Sequence, residues 1–201
     1  MDRTEANALT TLDYYEHNAD AFCKNTASAD MSAILREFTA MLPRGASVLD
    51  WGCGTGRDSR AMLDMGFSVV STDASPVMCQ VAKELFDIEV ACERFEELSV
   101  EGEYDGIWAC ASLLHVRKSD LPEMLRIAHK ALKPQGVLYT SFKYGSFEGM
   151  RNGRWFTDLD EGALAELVGS SFEIAKVWIT SDVRPGKSEE RWLNSLLRKC
   201  S

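Results

Sequence analysis

Asp50, Gly52, Gly54 and Gly56 occupy alternate positions in Val48-Leu49-Asp50-Trp51-Gly52-Cys53-Gly54-Thr55-Gly56-Arg57-Asp58. An apolar run, Ser47 to Leu49, leads into the acid, and a helix-like stretch, Arg57 to Met65, follows the glycines. This pattern predicts a strand, a tight turn and a helix N-terminus. Glycine tolerates positive φ and lets a ligand approach the backbone. The first N–H groups of a helix are free to hold a carboxylate or a phosphate.

The spacing narrows the ligand. A dinucleotide turn needs G-x-G-x-x-G, its third glycine allowing close helix–strand packing. Counting from Gly52 that position is Arg57, and counting from Gly54 it is Ser59, so both frames fail. A P-loop fails as well, because no Gly-Lys-Ser/Thr follows. Asp50 suits an amino group and would repel a pyrophosphate. A second strand-like run, Phe67 to Thr72, ends in Asp73. An acid at that strand tip can accept hydrogen bonds from both ribose hydroxyls. The ligand these residues describe is an adenosine joined to an amino acid, which S-adenosylmethionine satisfies.

Five segments then resemble the class I S-adenosylmethionine-dependent methyltransferases of the small-molecule type. They are VLDWGCGTG (48–56), STDAS (71–75), ACERFEEL (91–98), YDGIWACASLLHV (104–116) and LKPQGVLYTSF (132–142). The resemblance implies a Rossmann-like α/β fold, doubly wound, with helices on both faces. Seven strands are expected in the order 3-2-1-4-5-7-6, the last antiparallel. It also implies a single domain, 1–201, made of an N-terminal helical lid (1–44), a cofactor-binding core (45–142) and an acceptor-side loop with the C-terminal strands (143–201). The expected cofactor is S-adenosylmethionine, leaving as S-adenosylhomocysteine, with no metal.

In doubly wound sheets the ligand lies beyond the carboxyl ends of the strands, so each strand tip has an expected role. Asp50 would fix the methionine amino group, and Gly52, Cys53, Gly54 and Gly56 form the turn. Asp73 would hold the ribose. Ala74 and Met78 would pack on adenine, although Met78 suits plain core packing equally well. Glu93, Arg94 and Phe95 would meet or cover the ring, with Glu93 alternatively a solvated loop charge. Ala109, Cys110 and Leu113 would line the methionine and sulfonium end.

Methyl transfer is an in-line displacement in which alignment supplies much of the rate. A base is needed only when the nucleophile must lose a proton. His115, just past the fourth strand, is the base candidate, with a reference pKa of about 6.5. Its alternative is to shape the loop through backbone hydrogen bonds. Tyr14 and Tyr15 lie on the lid helix. Tyr15 is the second catalytic candidate and Tyr14 a substrate contact, through stacking, hydrogen bonding or the ring face. Aromatics at such spacing also serve as a packing face. After the fifth strand, Lys143, Arg151 and Arg154 would hold an anionic acceptor, with Trp155 and Phe156 flanking a ring. Alternatively the cations pair with surface acids.

The elements that must position these groups alternate. Helices are expected at 5–24, from 28 or 30 to 41, and at 57–65, 76–86, 119–132 and 159–168. Strands are expected at 46–51, 67–72, 88–91, 104–110, 136–142, 172–180 and 190–198, with Lys143 to Asp158 a polar, glycine-rich loop. Such alternation predicts a parallel sheet.

The length suits one domain. Six scattered cysteines with no C-x-x-C pair argue against zinc and against a disulfide framework. Cys53 lies where alkylation would block the turn. The net charge of -9 argues against a general nucleic-acid binder. No long apolar run or signal-peptide pattern is present, which predicts a cytoplasmic protein with no membrane partner. The expected partner is a small-molecule acceptor, anionic or aromatic, with the protein a monomer or homodimer. The competing readings are an RNA or protein methyltransferase, a non-catalytic S-adenosylmethionine-binding regulatory module, and a nicotinamide oxidoreductase.

Overall fold

A computed structural model describes residues 3–184 and 186–200, with side chains from residue 11 onward. Pro185, and residues 1, 2 and 201 at the ends of the expected domain, lie outside the described residues. The chain runs α1 (Arg3–Thr26), α2 (Ser32–Thr39), β1 (Ser47–Trp51), α3 (Arg57–Asp64), β2 (Ser68–Asp73), α4 (Pro76–Phe86), β3 (Val90–Cys92) and β4 (Tyr104–Ala109). It continues through α5 (Leu121–Ala131), β5 (Leu132–Lys143), β6 (Glu148–Arg151), β7 (Arg154–Thr157), α6 (Glu161–Val168), β8 (Phe172–Ser181) and β9 (Arg191–Lys199).

Seven strands form one sheet in the order β3-β2-β1-β4-β5-β9-β8. β1 to β5 are parallel, and β9 is antiparallel to both β5 and β8. With the β6–β7 hairpin standing outside the sheet, this is the expected 3-2-1-4-5-7-6 arrangement. Consecutive strand residues face opposite sides, and the two cores follow that alternation. Leu49, Ile107 and Leu138 enter one core. Their neighbours Val48, Trp108 and Tyr139 enter the other, with Phe38 of α2 and Met62 of α3. The Trp108 and Tyr139 rings stack at 4.0 Å.

Local chemistry sets the helix boundaries. Ser75 Oγ accepts from Met78 N–H ahead of Pro76, as its sequence position suggests. Asp160 Oδ1 accepts from Ala163 N–H and opens α6. At α5, Ser119 Oγ donates to Asp120 Oδ1, and the Asp120 side chain at the N-cap makes no capping hydrogen bond. α2 begins later than expected because Asp30 Oδ1 accepts from Ser32 N–H and holds a turn before it. α1 kinks at Asn18, whose Nδ2 donates to the Tyr14 carbonyl.

The segment expected to be a polar loop, 143–158, contains the antiparallel hairpin β6–β7. Its two-residue turn is Asn152-Gly153, with φ of 50° and 79°. Positive φ at both central residues matches the twist of the flanking strands. The Asn-Gly pair carried that signal in the sequence. Near 184–187, Lys187 N–H donates to the Arg184 carbonyl and closes a turn.

Candidate functional site

β1 has β2 on one side and β4 on the other. The chain leaves β1 and β4 toward opposite flanks, which opens a crevice beyond their carboxyl ends. A cavity of about 730 Å³ lies there. α1 and the β6–β7 hairpin supply its other wall.

The β1–α3 turn is fastened by backbone. Gly52 N–H and Cys53 N–H both donate to the Thr72 carbonyl, each at 2.9 Å. Gly52 has φ of +83°, and a Cβ there would sit 2.6 Å from Ser112 Cβ. Ser112 Oγ in turn donates to the Trp51 carbonyl at 2.7 Å. Gly56 stands at the α3 N-cap in left-handed geometry, where a Cβ would press on Ala82 at 3.0 Å. It lets α3 and α4 approach and does not itself line the cavity.

Asp73 is held at both oxygens. Gly54 N–H donates to Oδ2 and Ser75 N–H to Oδ1, each at 2.9 Å. Burial raises its pKa, and these two N–H groups oppose the rise. A carboxylate offers about four acceptor positions, so each oxygen keeps capacity for a hydroxyl from the cavity.

Asp50 lines the cavity but is only 2% exposed. Ser59 Oγ donates to its Oδ2 at 2.5 Å, and Ser71 Oγ donates to Ser59 at 2.8 Å. Burial first, and the nearby Asp58 second, push its pKa up to about 8. Asp58 has its own partners: Arg57 at 2.8 and 2.9 Å, and Trp108 Nε1 at 3.0 Å. Arg57 Nη1 also donates to the Thr26 carbonyl, which ties the end of α1 to the turn. Burial pushes the Cys53 and Cys110 thiols well above the usual range, with Asp50 adding to the rise at Cys53 and Asp58 at Cys110. Both shifts disfavour the thiolate, the form that reacts with alkylating agents.

Of the other expected contacts, Ala74, Met78, Phe95 and Cys110 line the cavity. Ala109 and Leu113 do not: they are 0% and 1% exposed and belong to the core beneath. Ala111, Ser112 and Leu114 line the cavity in their place. The chain crosses from strand to 3₁₀ turn at Ala111, with φ of 51°, so the period-2 alternation stops there. Glu93 and Arg94 lie off the cavity wall. Glu93 N–H donates to the Asp73 carbonyl at 3.1 Å, and Arg94 opens the short turn at 95–97.

The opposite wall is built from side chains. His115 Nδ1 lies 2.7 Å from the Trp155 carbonyl and Nε2 lies 3.0 Å from the Tyr15 hydroxyl. A carbonyl only accepts, so Nδ1 carries the proton and Nε2 accepts from Tyr15. Burial first, then the charge of Arg154, lower the His115 pKa to about 4, although the Trp155 carbonyl favours the charged form. Burial raises the Tyr15 pKa against the pull of Arg154, whose Nη1 lies 3.4 Å from the hydroxyl. His115 is thus a neutral ring with both nitrogens engaged. Thr11 Oγ1 accepts from Trp155 N–H at 3.1 Å, a second link from α1 to the hairpin.

The three expected cations differ. Lys143 pairs with Asp182 at 3.2 Å and with Glu190. Arg151 pairs with Asp158 at 2.8 Å. Arg154 stacks over the Tyr14 ring at 4.4 Å and beside Phe156 at 5.1 Å. Sequence reasoning missed Ser112 and Arg57, whose bonds to the Trp51 and Thr26 carbonyls join distant parts of the chain, and the local Asp182–Arg184–Glu190 cluster, which meets Lys143 only in the fold.

No helix among the described residues is long and apolar enough to cross a membrane. No group of three or more potential metal ligands occurs among them either.

Residues 48–136 match the family described as a methyltransferase domain. A ubiquinone biosynthesis O-methyltransferase of Xanthomonas axonopodis pv. citri is 32% identical over 106 residues, covering 49% of this chain and 44% of that protein. The chain therefore spans about half the length of the curated relatives it matches. The fold is similar to that of Burkholderia thailandensis 1,6-didemethyltoxoflavin-N1-methyltransferase, solved with 1,6-didemethyltoxoflavin and S-adenosylhomocysteine. That likeness has a TM-score of 0.78 at 23% identity and covers 100% of this chain and 92% of that one. The [4+2]-cyclase SpnF is also similar, with a TM-score of 0.71 at 18% identity over 98% of this chain and 95% of that one. One of these two names denotes a methyltransferase and the other a cyclase, so the fold alone does not fix the reaction.

Proposed function

We propose that this chain, whose residues 48–136 match the methyltransferase-domain family, binds S-adenosylmethionine and passes its methyl group to an oxygen, nitrogen or sulfur of a small molecule. The observation that carries this reading is Asp73. Its carboxylate stands at the tip of β2, fixed by Gly54 N–H and Ser75 N–H, with acceptor capacity left for a vicinal diol.

The rest of the cofactor half fits the same ligand. Ala74, Met78 and Phe95 offer apolar surface for an adenine, and Gly52 and Gly54 keep the backbone bare where the ligand approaches. The Ser59 hydroxyl holds Asp50 in place facing the cavity, toward a ligand amino group. A cavity of about 730 Å³ is in the range of small-molecule sites. When bound, the cofactor supplies an electrophilic methyl carbon whose sulfur leaves as a neutral thioether. The chain aligns the acceptor and excludes water, with Tyr15 and His115 joining the lid to the core beside it. Two features support a small acceptor over a macromolecule. α1 and the hairpin wall the cavity, and the net charge of -9 disfavours nucleic acid.

The test is calorimetric titration of the purified protein with S-adenosylhomocysteine, beside the Asp73→Ala variant. Two hydrogen bonds to a charged group contribute about 1.5–3 kcal/mol each. The substitution should therefore weaken binding at least about 100-fold, with circular dichroism confirming that the variant folds. Absence of binding by folded wild-type protein would sink the reading.

A further inference from the structure

Several cations surround the acceptor end of the cavity. Lys143, Arg151, Arg184 and Lys187 each hold a carboxylate partner within ion-pair distance. Arg191 is exposed on the rim over the Tyr144 ring. Arg154 stands apart from all of these. Among the described residues no carboxylate pairs with it, and its buried Nε has no hydrogen-bond partner. A buried donor left unmade is rare in folded proteins, and the side chain also lines the cavity, where the rest of its charge is open to a ligand. The guanidinium is packed between the Tyr14, Tyr15 and Phe156 rings, which keep it in the cavity wall and away from solvent acids. Among the described residues, its single polar contact is the long one to the Tyr15 hydroxyl, 3.4 Å.

The neighbouring pair that looks like a base faces inward. The Tyr15 proton is committed to His115 Nε2, and the His115 Nδ1 proton to the Trp155 carbonyl. Neither presents a lone pair on a strong base to the cavity. We propose that Arg154 is the specificity-determining residue of the acceptor site, selecting a planar acceptor with an acidic O–H or N–H and binding it as its anion. This rests on the methyltransferase reading above and names its substrate class. The acceptor's proton goes to bulk water on binding, replaced by the fixed charge of Arg154. In the transfer the anionic oxygen or nitrogen forms its bond to the methyl carbon as the carbon–sulfur bond breaks. The negative and sulfonium charges cancel, and no proton moves to the protein. The aromatic rings that pack Arg154 offer the flat surface such an acceptor requires. Of the other charged groups on this cavity, Arg151 is neutralised by Asp158 and Arg184 by Asp182, Arg191 lies exposed over Tyr144, and the Asp73 carboxylate acts on the Tyr15 hydroxyl.

The probe is 4-nitrophenol, whose anion absorbs in the visible, titrated with pH at saturating protein. Bound to wild type, its half-ionisation should move at least one pH unit below its value in water, a tenfold preference for the anion. Arg154→Met should abolish that shift, Arg154→Lys should restore part of it, and Tyr15→Phe should leave it in place. The proposal is overturned if the wild-type protein takes up neither form of the probe. It is equally overturned if the bound probe ionises as in water, or if Tyr15→Phe removes the shift while Arg154→Met keeps it. S-adenosylhomocysteine binding is measured on every variant. Its retention shows that the variant is folded. Failure of the wild-type protein to bind it would strike the methyltransferase reading and leave the probe result standing.

Discussion

The two halves of the cavity are built from different materials. The cofactor half is made of backbone close in sequence: Gly52 and Cys53 N–H on the Thr72 carbonyl, and Gly54 and Ser75 N–H on Asp73. The half proposed to take the acceptor is made of side chains far apart in sequence. Tyr15 meets His115 across 100 positions, and Arg154 meets Tyr15 across 139. Backbone donors hold one fixed ligand shape whatever the neighbouring side chains are. Side chains meeting across the fold can be exchanged one by one. One half is thus suited to an invariant cofactor and the other to a chosen acceptor.

The sharpest way to break this contrast is to add a single methyl group to the backbone half. Gly52→Ala meets Ser112 Cβ at 2.6 Å and places a Cβ on a residue with φ of +83°. Left-handed strain costs about 1–2 kcal/mol and overpacking about 1–3 kcal/mol. Thermal unfolding should show a loss of about 2–5 kcal/mol, and S-adenosylhomocysteine binding should disappear. Gly45→Ala is the control, since Gly45 has φ of +68° with nothing near its missing Cβ. It should lose only the strain. Equal losses in the two variants would mean that the turn is not closely packed.

Protonation separates the halves by sign. Asp50 has a folded pKa of about 8 against an ordinary 3.8. The folded state therefore binds the extra proton, and Asp50's contribution is full below about pH 4 and is lost as pH rises through about 8. His115 has a folded pKa of about 4 against 6.5. There the unfolded chain binds the extra proton, and stability is lost as pH falls from about 6.5 through 4. That shift amounts to at most about 3 kcal/mol, and less where cavity water reaches the ring. In denaturant unfolding measured from pH 4.5 to 8.5 the two contributions oppose each other below about pH 6.5, and only the Asp50 loss remains from there to about 8. His115→Gln should remove the contribution that rises with pH below about 6.5 and leave the range above it unchanged, whereas Asp50→Asn should remove the falling contribution across the whole interval and leave a net rise below about 6.5. The opposite pattern would overturn the assignment.

The same division explains what the sequence made legible. The order of the sheet, the glycine turn and the Asp73 strand tip follow from contiguous patterns, and each was readable because its physics is local. The Asn152-Gly153 turn was equally local, yet it was submerged in a stretch rich in polar residues and glycine. Ala109 and Leu113 were expected in the cavity and lie beneath it. The positive φ at Ala111 shifts the facing of the residues after β4, and alternation cannot anticipate it. The inward commitment of His115 depends on the Trp155 carbonyl, a backbone atom 40 positions away. The pairing of Lys143 with Asp182 and Glu190 likewise appears only once β9 lies beside β5.

The smallest expected effect tests whether the halves are energetically separate. Tyr15→Phe removes one hydroxyl and leaves His115 Nε2 without its donor. A neutral hydrogen bond contributes about 0.5–1.5 kcal/mol. Because the ring borders the cavity of about 730 Å³, solvent can replace the donor, and the loss should fall near the low end of that range. α1 stays attached through Thr11 to Trp155 and through the Thr26 carbonyl to Arg57, so the lid should not detach. Limited proteolysis within α1 should accelerate only a few-fold, and S-adenosylhomocysteine affinity should change by less than about threefold, under 1 kcal/mol. A tenfold loss of that affinity would show that the lid contact transmits to the glycine turn. Arg57 would then be the path, since it alone among the described residues joins the Thr26 carbonyl of α1 to Asp58 behind the turn.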